Sequence, residues 1–360
     1  MACLEIVGLT VTRDGVDLLN DLHLRIADGE RFVVLGPSGS GKTALLRSIA
    51  GLEAVTSGRL RLQGQDVTTV APRDRGIAMV DQEARLQPHL DVRSNLSLPL
   101  RFRSYPDDEV DRRVEAQARA FSLRRLFGRR QNTLAAGERH EVALARSLIR
   151  RCRLLLLDEP LAKADPPRRR ALLRELVEVQ EGYGITMLVA TNDQQVALTL
   201  ADRAAVLDRG RLVQLGTPTE LFATPATTFV AGFVGTPPMN LRTGRVVRGH
   251  RGTRLLADPF RLPTYDPSLA DLAGHPCTVG VRPTDLRRAT DADRFTIEEI
   301  VLQTAVLGDQ VEVRLGEPRD PVVATVDRPA PPRGALLRLA YDPAAVHVFD
   351  AEGRAVTHGV

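Results

Sequence analysis

Short apolar runs separated by polar residues dominate the first thirty-five positions of the chain. LEIVGLTV, LHLRI and RFVVL alternate with a period of two, which predicts β-strands, and GRLRLQG and GIAMV predict two more. RLLLLDEP and ITMLVATND are apolar at nearly every position, which is typical of strands buried on both faces of a parallel sheet. TALLRSIA has helical spacing instead. The pattern therefore predicts an α/β domain.

Helical spacing also marks a segment between these strands. DDEVDRRVEAQARAFSLRRLF has apolar residues at helical intervals, is preceded by Pro106 and begins with acidic residues. We interpret residues 86–150 as a helical insertion in the α/β domain. Further along, PRRRALLRELVEVQEGYG predicts a helix closed by glycine.

The pattern changes once more near residue 236. TVGVRP, FTIEEIVLQ, QVEVRLG, PVVATV, ALLRLAY and AVHVF are short alternating segments separated by Pro, Gly and Asp. Such spacing is typical of a small all-β domain of barrel type. A chain of 360 residues is also long enough for two or three domains. We predict domains at 1–235 and 236–360.

Composition excludes some classes of protein. No apolar run approaches the ~18 residues of a membrane span. The formal net charge is +4, and the basic run LRRLFGRR resembles a nucleic-acid patch. Acidic residues interleave elsewhere and aromatic residues make up 4% of the chain, so a solvated helix face is the better interpretation and no nucleic-acid partner is expected. Three widely spaced cysteines fit buried thiols in a reducing cytoplasm.

A glycine-rich loop carries the clearest chemistry. GPSGSGKT fits the pattern G-x-x-x-x-G-K-[ST] between a predicted strand and a predicted helix. Glycines let successive N–H groups converge on phosphate oxygens, and the helix N-terminus adds a favourable dipole. Lys42 is expected to bridge the β- and γ-phosphates, and the Thr43 hydroxyl to bind Mg²⁺. The predicted nucleotide-binding residues of this loop are Gly36, Pro37, Ser38, Gly39, Ser40, Gly41, Lys42 and Thr43.

Two carboxylates end the most apolar strand. In LLLLDEP, Asp158 is expected to hold Mg²⁺ through water, and Glu159 to polarise the water that attacks the γ-phosphate. Gln82 follows another strand, in AMVDQ, from where it could reach the metal and the attacking water. The sequence thus predicts Glu159 and Gln82 as catalytic residues, and Thr43, Gln82 and Asp158 as metal-binding residues.

These motifs stand in the order and spacing found in ATP-binding subunits of ABC transporters, which the chain resembles over essentially its whole length. AVTSGRLRLQGQDVT, VALARSL and TNDQQVALTLADRAAVLDRGRLVQLGTPTELF are similar to that family. FVGTPPMNL, VGVRPTDL and VHVFDAEGRAV resemble the regulatory β-domain of the sugar and glycerol-phosphate importers, the maltose-type subgroup. The resemblance implies a P-loop ABC ATPase domain followed by an OB-like barrel of the TOBE type.

The resemblance also implies how such a subunit works. ATP with Mg²⁺ would lie between the phosphate loop of one subunit and the signature LSGGQ of another, in a homodimer or a heterodimer with a second ABC subunit. Dimer closure would drive two transmembrane permease subunits, which in turn receive solute from a binding protein. The chain would then be cytoplasmic and peripheral on the inner face of the membrane.

Several residues depart from the sequence pattern of this family. The signature reads LAAGE, so Ala135 replaces a serine and Glu138 adds a negative charge, although Gly137 is kept. Ala135 and Gly137 are the implied contacts to the ATP bound by the other subunit. The segment TND corresponds to the family's switch motif THD, so Asn192 stands at the position of a histidine that contacts the γ-phosphate, and we add Asn192 to the predicted catalytic residues. The region VTRDGVDLL offers Arg13 and Asp14 where the resemblance implies an aromatic residue that stacks on adenine.

A last departure follows Glu159, where LAKAD retains Asp165 but lacks the usual serine and leucine. Losing one preorganised donor typically costs ~10²–10³ in rate. We therefore expect nucleotide binding with weak hydrolysis by the chain alone.

Three functions follow from these observations. The leading hypothesis is the ATP-binding subunit of a sugar or glycerol-phosphate importer. A second is a nucleotide-binding regulatory or structural ABC subunit with little turnover. The third, an ABC-type ATPase of DNA repair or translation, would usually carry tandem cassettes, long coiled coils or zinc motifs, and the sequence contains none of these.

Overall fold

The computed structural model describes residues 2–150, 152–162, 166–249, 252–264 and 267–359. Asp165, which the family resemblance singled out, lies outside these residues. The chain forms two compact units, Met1–Pro218 and Thr219–Val360. The sequence-based boundary at residue 235 remains a prediction.

An antiparallel sheet of order β2–β1–β4–β5 forms one layer of the first unit. Its strands are β1 (Ala2–Arg13), β2 (Val16–Ala27), β4 (Ser57–Leu62) and β5 (Gln65–Asp66). Asp14 and Gly15 join β1 to β2 with φ values of 50° and 77°, as in the type I′ turn that Asp-Gly favours. This tight turn places Arg13 opposite Val16 at the end of the hairpin.

A second, mostly parallel sheet has the order β10–β9–β3–β8–β7–β6, and only its edge strand β10 runs antiparallel to its neighbour. Its strands are β3 (Arg31–Leu35), β6 (Ile77–Val80), β7 (Leu154–Asp158), β8 (Thr186–Thr191), β9 (Arg203–Asp208) and β10 (Arg211–Gly216). Every residue of β7 and β8 is buried, as their apolar sequences predict. The carboxyl ends of β3, β6, β7 and β8 therefore meet at one edge.

Within the residues that the structure describes, six α-helices accompany these sheets. They are α1 (Lys42–Ala50), α2 (Val92–Arg101), α3 (Asp107–Ala120), α4 (Ala136–Leu148), α5 (Pro166–Tyr183) and α6 (Gln194–Leu200). Helices α2, α3 and α4 fall within the segment 86–150. The helical pattern predicted through Phe127 is interrupted, because Phe121 caps α3 and Ser122 takes a left-handed φ of 54°.

The main apolar cluster of the first unit joins both sheets through α1. Leu45, Leu46 and Ile49 of α1 pack with residues of β1, β3 and β7, including Leu4, Phe32 and Leu156. All of these side chains are at most 2% exposed. The helix that begins at the glycine-rich loop is thus anchored in the core, which fixes the position of the loop.

The second unit begins with two short helices, α7 (Pro218–Ala223) and α8 (Thr228–Phe233), and continues as antiparallel sheet. One sheet contains β11 (Asn240–Gly249), β12 (Gly252–Ala257), β13 (Phe260–Thr264), β14 (Pro276–Val281), β20 (Val346–Phe349) and β21 (Ala355–His358). The other contains β15 (Arg287–Arg288), β16 (Thr296–Leu307), β17 (Gln310–Glu317), β18 (Asp320–Asp327) and β19 (Leu336–Ala340).

Side chains from both of these sheets share one apolar core, to which Val279, Val313, Leu339 and Val348 belong. The curled antiparallel strands around that core confirm the predicted small barrel-type domain. Within the described residues, the structure contains no helix that is both long and apolar enough to span a membrane.

Candidate nucleotide-binding site

The glycine-rich loop lies between β3 and α1, as its sequence predicts. Lys42 is the first residue of α1 and is only 6% exposed. Its Nζ donates hydrogen bonds to the carbonyl oxygens of Gly36 and Pro37, each at 2.9 Å. Burial lowers the pKa of the Lys42 ammonium, while the nearby carboxylates of Glu159 and Asp158 oppose this shift. A buried positive charge therefore lies within the curve of the loop.

Two glycines are required by the shape of this loop. A Cβ at Gly36 would lie 2.4 Å from the carbonyl oxygen of Leu207, which is far inside van der Waals contact. Gly41 has a left-handed φ of 103°, and a Cβ there would lie 2.6 Å from the carbonyl oxygen of Leu18. Together with Gly39, at φ 81°, these residues form the kind of backbone concavity that binds anions.

Asp158 ends β7 beside this loop and is 4% exposed. Burial raises the pKa of its carboxyl, and a hydrogen bond from Thr43 and the charge of Lys42 act in the opposite direction. Among the described residues, its Oδ1 has no hydrogen-bond partner. A buried, unpaired carboxylate oxygen beside a hydroxyl is a donor pair that suits a hard divalent cation.

Glu159 follows directly and is held from the neighbouring strand β8. Its Oε2 accepts a hydrogen bond from Thr191 Oγ1, and its Oε1 accepts one from the Asn192 backbone N–H, both at 3.0 Å. Lys42 Nζ lies 3.9 Å from the same Oε1. Burial raises the pKa of the Glu159 carboxyl. The carboxylate is therefore fixed at the edge where the parallel strands end.

A cavity of about 880 Å³ collects most of the predicted residues. It is lined by Ser38, Gly39, Gly41, Lys42 and Thr43 of the loop and by Gln82, Glu159 and Asn192. Gln82 and Asn192 are exposed and follow β6 and β8. An anionic ligand in this cavity would meet the loop and Lys42 on one side and Glu159 on the other.

Ala135 and Gly137 do not line this cavity. They lie at the N-terminus of α4, where Ala135 caps the helix without a side-chain acceptor. The predicted phosphate-loop and carboxylate residues are thus brought together in one chain, and the two signature residues lie apart from them.

The charge of Glu138 is compensated locally. Its Oε2 accepts a hydrogen bond from the Ala135 N–H at 3.0 Å, and Arg125 and Arg129 lie 3.1 and 3.2 Å from its carboxylate oxygens. The Ala135 N–H, followed by the two arginines, lowers the pKa of the Glu138 carboxyl. The negative charge that the sequence suggested is therefore an internal cap of α4, and the basic run that resembled a nucleic-acid patch supplies its partners.

The cavity also contains residues that the motifs did not assign. Arg13 and Glu53 line it at the C-terminal end of α1, with Leu18 and Leu52 beside them. Arg13 Nε donates to Glu53 Oε1 at 3.1 Å, and Arg13 Nη2 contacts Glu53 Oε2. The family resemblance places Arg13 near an implied adenine-stacking position, whereas nothing in the sequence points to Glu53.

Comparisons with known proteins point to one family. The sequence model of the family described as ABC transporter matches residues 19–162. The chain is 37% identical over 354 residues to an sn-glycerol-3-phosphate import ATP-binding protein of Yersinia pseudotuberculosis, covering 98% of both chains. It is 35% identical over 348 residues to the protein of the same name from Brucella abortus, covering 95% of both.

Two solved structures resemble this one. One is the dimeric, post-hydrolysis structure of an ATP-binding cassette bound to ADP and Pi. Its sequence is 26% identical to this chain, the TM-score is 0.55, and the match covers 59% of this chain and 98% of the cassette. The other is the CbiO1 protein of Clostridium perfringens, part of an ABC transporter complex. It is 27% identical in sequence with a TM-score of 0.58, and the match covers 62% of this chain and 91% of CbiO1.

Proposed function

This chain belongs to the ABC transporter family, and on that premise we propose that it is the ATP-binding subunit of an importer for glycerol phosphate or a similar sugar-type solute. The supporting observation is that its likeness to import ATP-binding proteins extends over 98% of the chain, and so includes both units. A regulatory or structural subunit is not favoured, because the relatives are named as import ATP-binding proteins.

The phosphate loop, Glu159, Gln82 and Asn192 each have a role in this proposal. The loop amides and Lys42 bind the phosphates, since a buried ammonium next to backbone N–H groups attracts a polyanion. Glu159 orients the attacking water and accepts its proton, which requires the carboxyl to be ionised. Gln82 and Asn192 contact the water and the γ-phosphate from the ends of β6 and β8.

We further propose that Mg²⁺ accompanies the nucleotide. Thr43 and Asp158 would hold it with Gln82, because these residues offer the hard oxygen atoms that Mg²⁺ prefers. When bound, the ion neutralises charge on the phosphate oxygens. The unpaired Oδ1 of Asp158 is the observation that supports this assignment.

The partners follow from the family. Ala135 and Gly137 would contact ATP bound by a second ABC subunit, either another copy of this chain or a paralogue. Two permease subunits would carry the solute and would receive it from a solute-binding protein. The chain would then be peripheral on the cytoplasmic face of the membrane.

Transport by the reconstituted complex tests this proposal. Proteoliposomes that contain this chain and its permease subunits, with the solute-binding protein outside, should take up glycerol phosphate when Mg-ATP is enclosed. Glu159→Gln should lower ATP hydrolysis and uptake together by about 10²-fold or more, because it removes the proton acceptor but keeps the side-chain shape. ATP hydrolysis without glycerol-phosphate uptake would refute the solute assignment and leave the ATPase assignment intact.

A further inference from the structure

The carboxyl ends of β6 and β7 place two aspartates side by side. The two strands run parallel with Val80 opposite Leu157, so the next residues along them are Asp81 and Asp158. Neighbouring strands lie about 4.8 Å apart, and residues at the same level of a parallel pair point to the same face of the sheet. Asp81 is therefore next to the buried carboxylate of the proposed cation site.

Both aspartates are on the face of the sheet that packs against α1. Ile77 and Leu154, which are opposite each other on β6 and β7, belong to the apolar cluster around α1. Side chains alternate between the two faces along a strand. The residues four positions further along, Asp81 and Asp158, are consequently on this face too. Thr43, near the start of α1, hydrogen-bonds to Asp158 from the same side.

The negative charge of Asp81 is only loosely paired. Its Oδ1 accepts a hydrogen bond from the Arg85 N–H at 3.3 Å, and Arg85 Nε lies 3.9 Å from its Oδ2. The same Nε is closer to Glu83, at 2.7 Å. Arg146 of α4 is also nearby: burial lowers the pKa of its guanidinium, and the charge of Asp81 opposes that shift. The Asp81 carboxylate is 46% exposed and can accept a further partner.

Two neighbouring carboxylates, one of them buried, repel each other unless a positive charge compensates them. Asp158 is 4% exposed, and among the described residues its Oδ1 has no hydrogen-bond partner. Burial raises the pKa of the Asp158 carboxyl, and the charge of Asp81 acts in the same direction. A hard divalent cation would relieve this repulsion, since carboxylate oxygens are the ligands it prefers.

We propose that Asp81 is a further cation-binding residue of this site, so that the chain holds a divalent cation with two carboxylates before the nucleotide arrives. The inference rests on the Mg²⁺ site proposed above and adds Asp81 to Thr43, Asp158 and Gln82. Without the cation, the same charge opposes the phosphates, because Asp81 immediately precedes Gln82, which lines the cavity. Asp81 therefore makes nucleotide binding more dependent on the cation.

Two binding measurements on the full-length chain test this role, and neither requires turnover. The first is Mn²⁺ affinity without nucleotide, followed by the electron paramagnetic resonance signal of free Mn²⁺, which, like Mg²⁺, takes carboxylate oxygens. The second is calorimetry of ATP binding in excess EDTA. Asp81→Asn should weaken Mn²⁺ binding by about 10-fold or more and tighten metal-free ATP binding by about 3-fold or more, since removing one negative charge affects a cation and a polyanion in opposite directions.

These opposite signs separate a charge at the site from a packing defect, which would weaken both ligands. Asparagine keeps the size of the side chain and the oxygen that accepts from Arg85. Asp81→Glu keeps the charge and should retain most of the Mn²⁺ affinity, whereas Asp158→Asn should weaken Mn²⁺ binding at least as much as Asp81→Asn. The matched control is Asp111→Asn, which removes an exposed carboxylate paired with Arg93 and outside the cavity lining, and which should leave both affinities unchanged.

The proposal is overturned if the unmodified chain binds no Mn²⁺ without nucleotide, if Asp81→Asn leaves the Mn²⁺ affinity unchanged, or if Asp81→Asn fails to tighten metal-free ATP binding. In each case, ATP binding by the unmodified chain with Mg²⁺ would leave the nucleotide-binding function intact. Loss of ATP binding together with the expected Mn²⁺ series would refute the nucleotide-binding function and keep the cation site.

Discussion

At the scale of single residues, we expect Asn192 and Ala135 to weaken ATP hydrolysis, Asn192 in this cavity and Ala135 toward ATP bound by a second ABC subunit. Asn192 follows β8 and lines the cavity, where its amide can donate a hydrogen bond but cannot carry a proton. Ala135 has no hydroxyl to offer a phosphate. Glu159 directly follows β7 and has a left-handed φ of 46°. Such a conformation costs a non-glycine residue ~1–3 kcal/mol. Such outliers cluster at functional sites.

Restoring the two side chains should raise turnover. Asn192→His combined with Ala135→Ser should increase the steady-state ATPase rate of the chain by at least about 10-fold, since one transition-state donor is typically worth ~10²–10³. The combination Asn192→His, Ala135→Ser and Glu159→Gln is the control and should remain inactive. An unmodified chain that already turns over as fast as the doubly substituted one would contradict this expectation.

At the scale of elements, α4 begins with half of a capping box. Glu138 reaches back to the Ala135 N–H, but alanine cannot return a bond to the N–H of Glu138. The ion pairs with Arg125 and Arg129 offset the free energy needed to hold the Glu138 carboxylate against the backbone at the start of α4. The start of the signature helix therefore depends on one side chain.

Removing that side chain should destabilise the helix. Glu138→Ala should lower the free energy of unfolding by about 1 kcal/mol, measured by urea denaturation with helical circular dichroism as the signal. Glu138→Gln should lower the free energy of unfolding by less, because the amide oxygen of glutamine can still accept a hydrogen bond from the Ala135 N–H.

The same change should alter the pH dependence of stability. The folded-state pKa of Glu138 is depressed, so its contribution is present above the unfolded pKa of ~4.3 and is lost as pH falls through the folded pKa. The difference between Glu138→Ala and the unmodified chain should therefore shrink below pH 4. A constant difference across that range would show that the carboxylate charge contributes nothing.

Elements with a single clear period were predictable from sequence. The buried strands β7 and β8 and the helix α1 were read from their apolar patterns, and the loop between β3 and α1 from its glycines. Strands β11, β12 and β13 were not among the predicted segments, since LRTGRVVRG and TRLLAD place arginine or glycine within the alternation. The Arg13–Glu53 contact joins residues 40 positions apart, and no local pattern encodes such a pair.

At the scale of the whole molecule, α8 belongs to the second unit. Val230 and Ala231 of α8 are fully buried, and Ala231 packs with Met239 and Phe349. The N–H of Thr228, at the start of α8, donates to the carbonyl oxygen of Gly353 at 2.8 Å. A chain cut at residue 235 would keep this helix but remove the residues that bury it.

Truncation should therefore favour the earlier boundary. A fragment of residues 1–218 should be monodisperse in size-exclusion chromatography and bind ATP with the affinity of the full chain. A fragment of residues 1–235 should bind ATP but self-associate more, because Val230 and Ala231 become exposed. Identical behaviour of the two fragments would support the boundary at 235 instead.

The hydrogen bond from the Asn192 backbone N–H to Glu159 has a consequence for how this sequence could have diverged. Every amino acid except proline supplies that N–H, so the glutamate stays in place whichever side chain occupies position 192. Thr191, whose hydroxyl holds the other carboxylate oxygen, has no such freedom, because few residues carry a hydroxyl there. Substitutions should therefore accumulate at position 192 far more readily than at position 191. Replacement of a histidine at position 192 would leave the Glu159 carboxylate where it is.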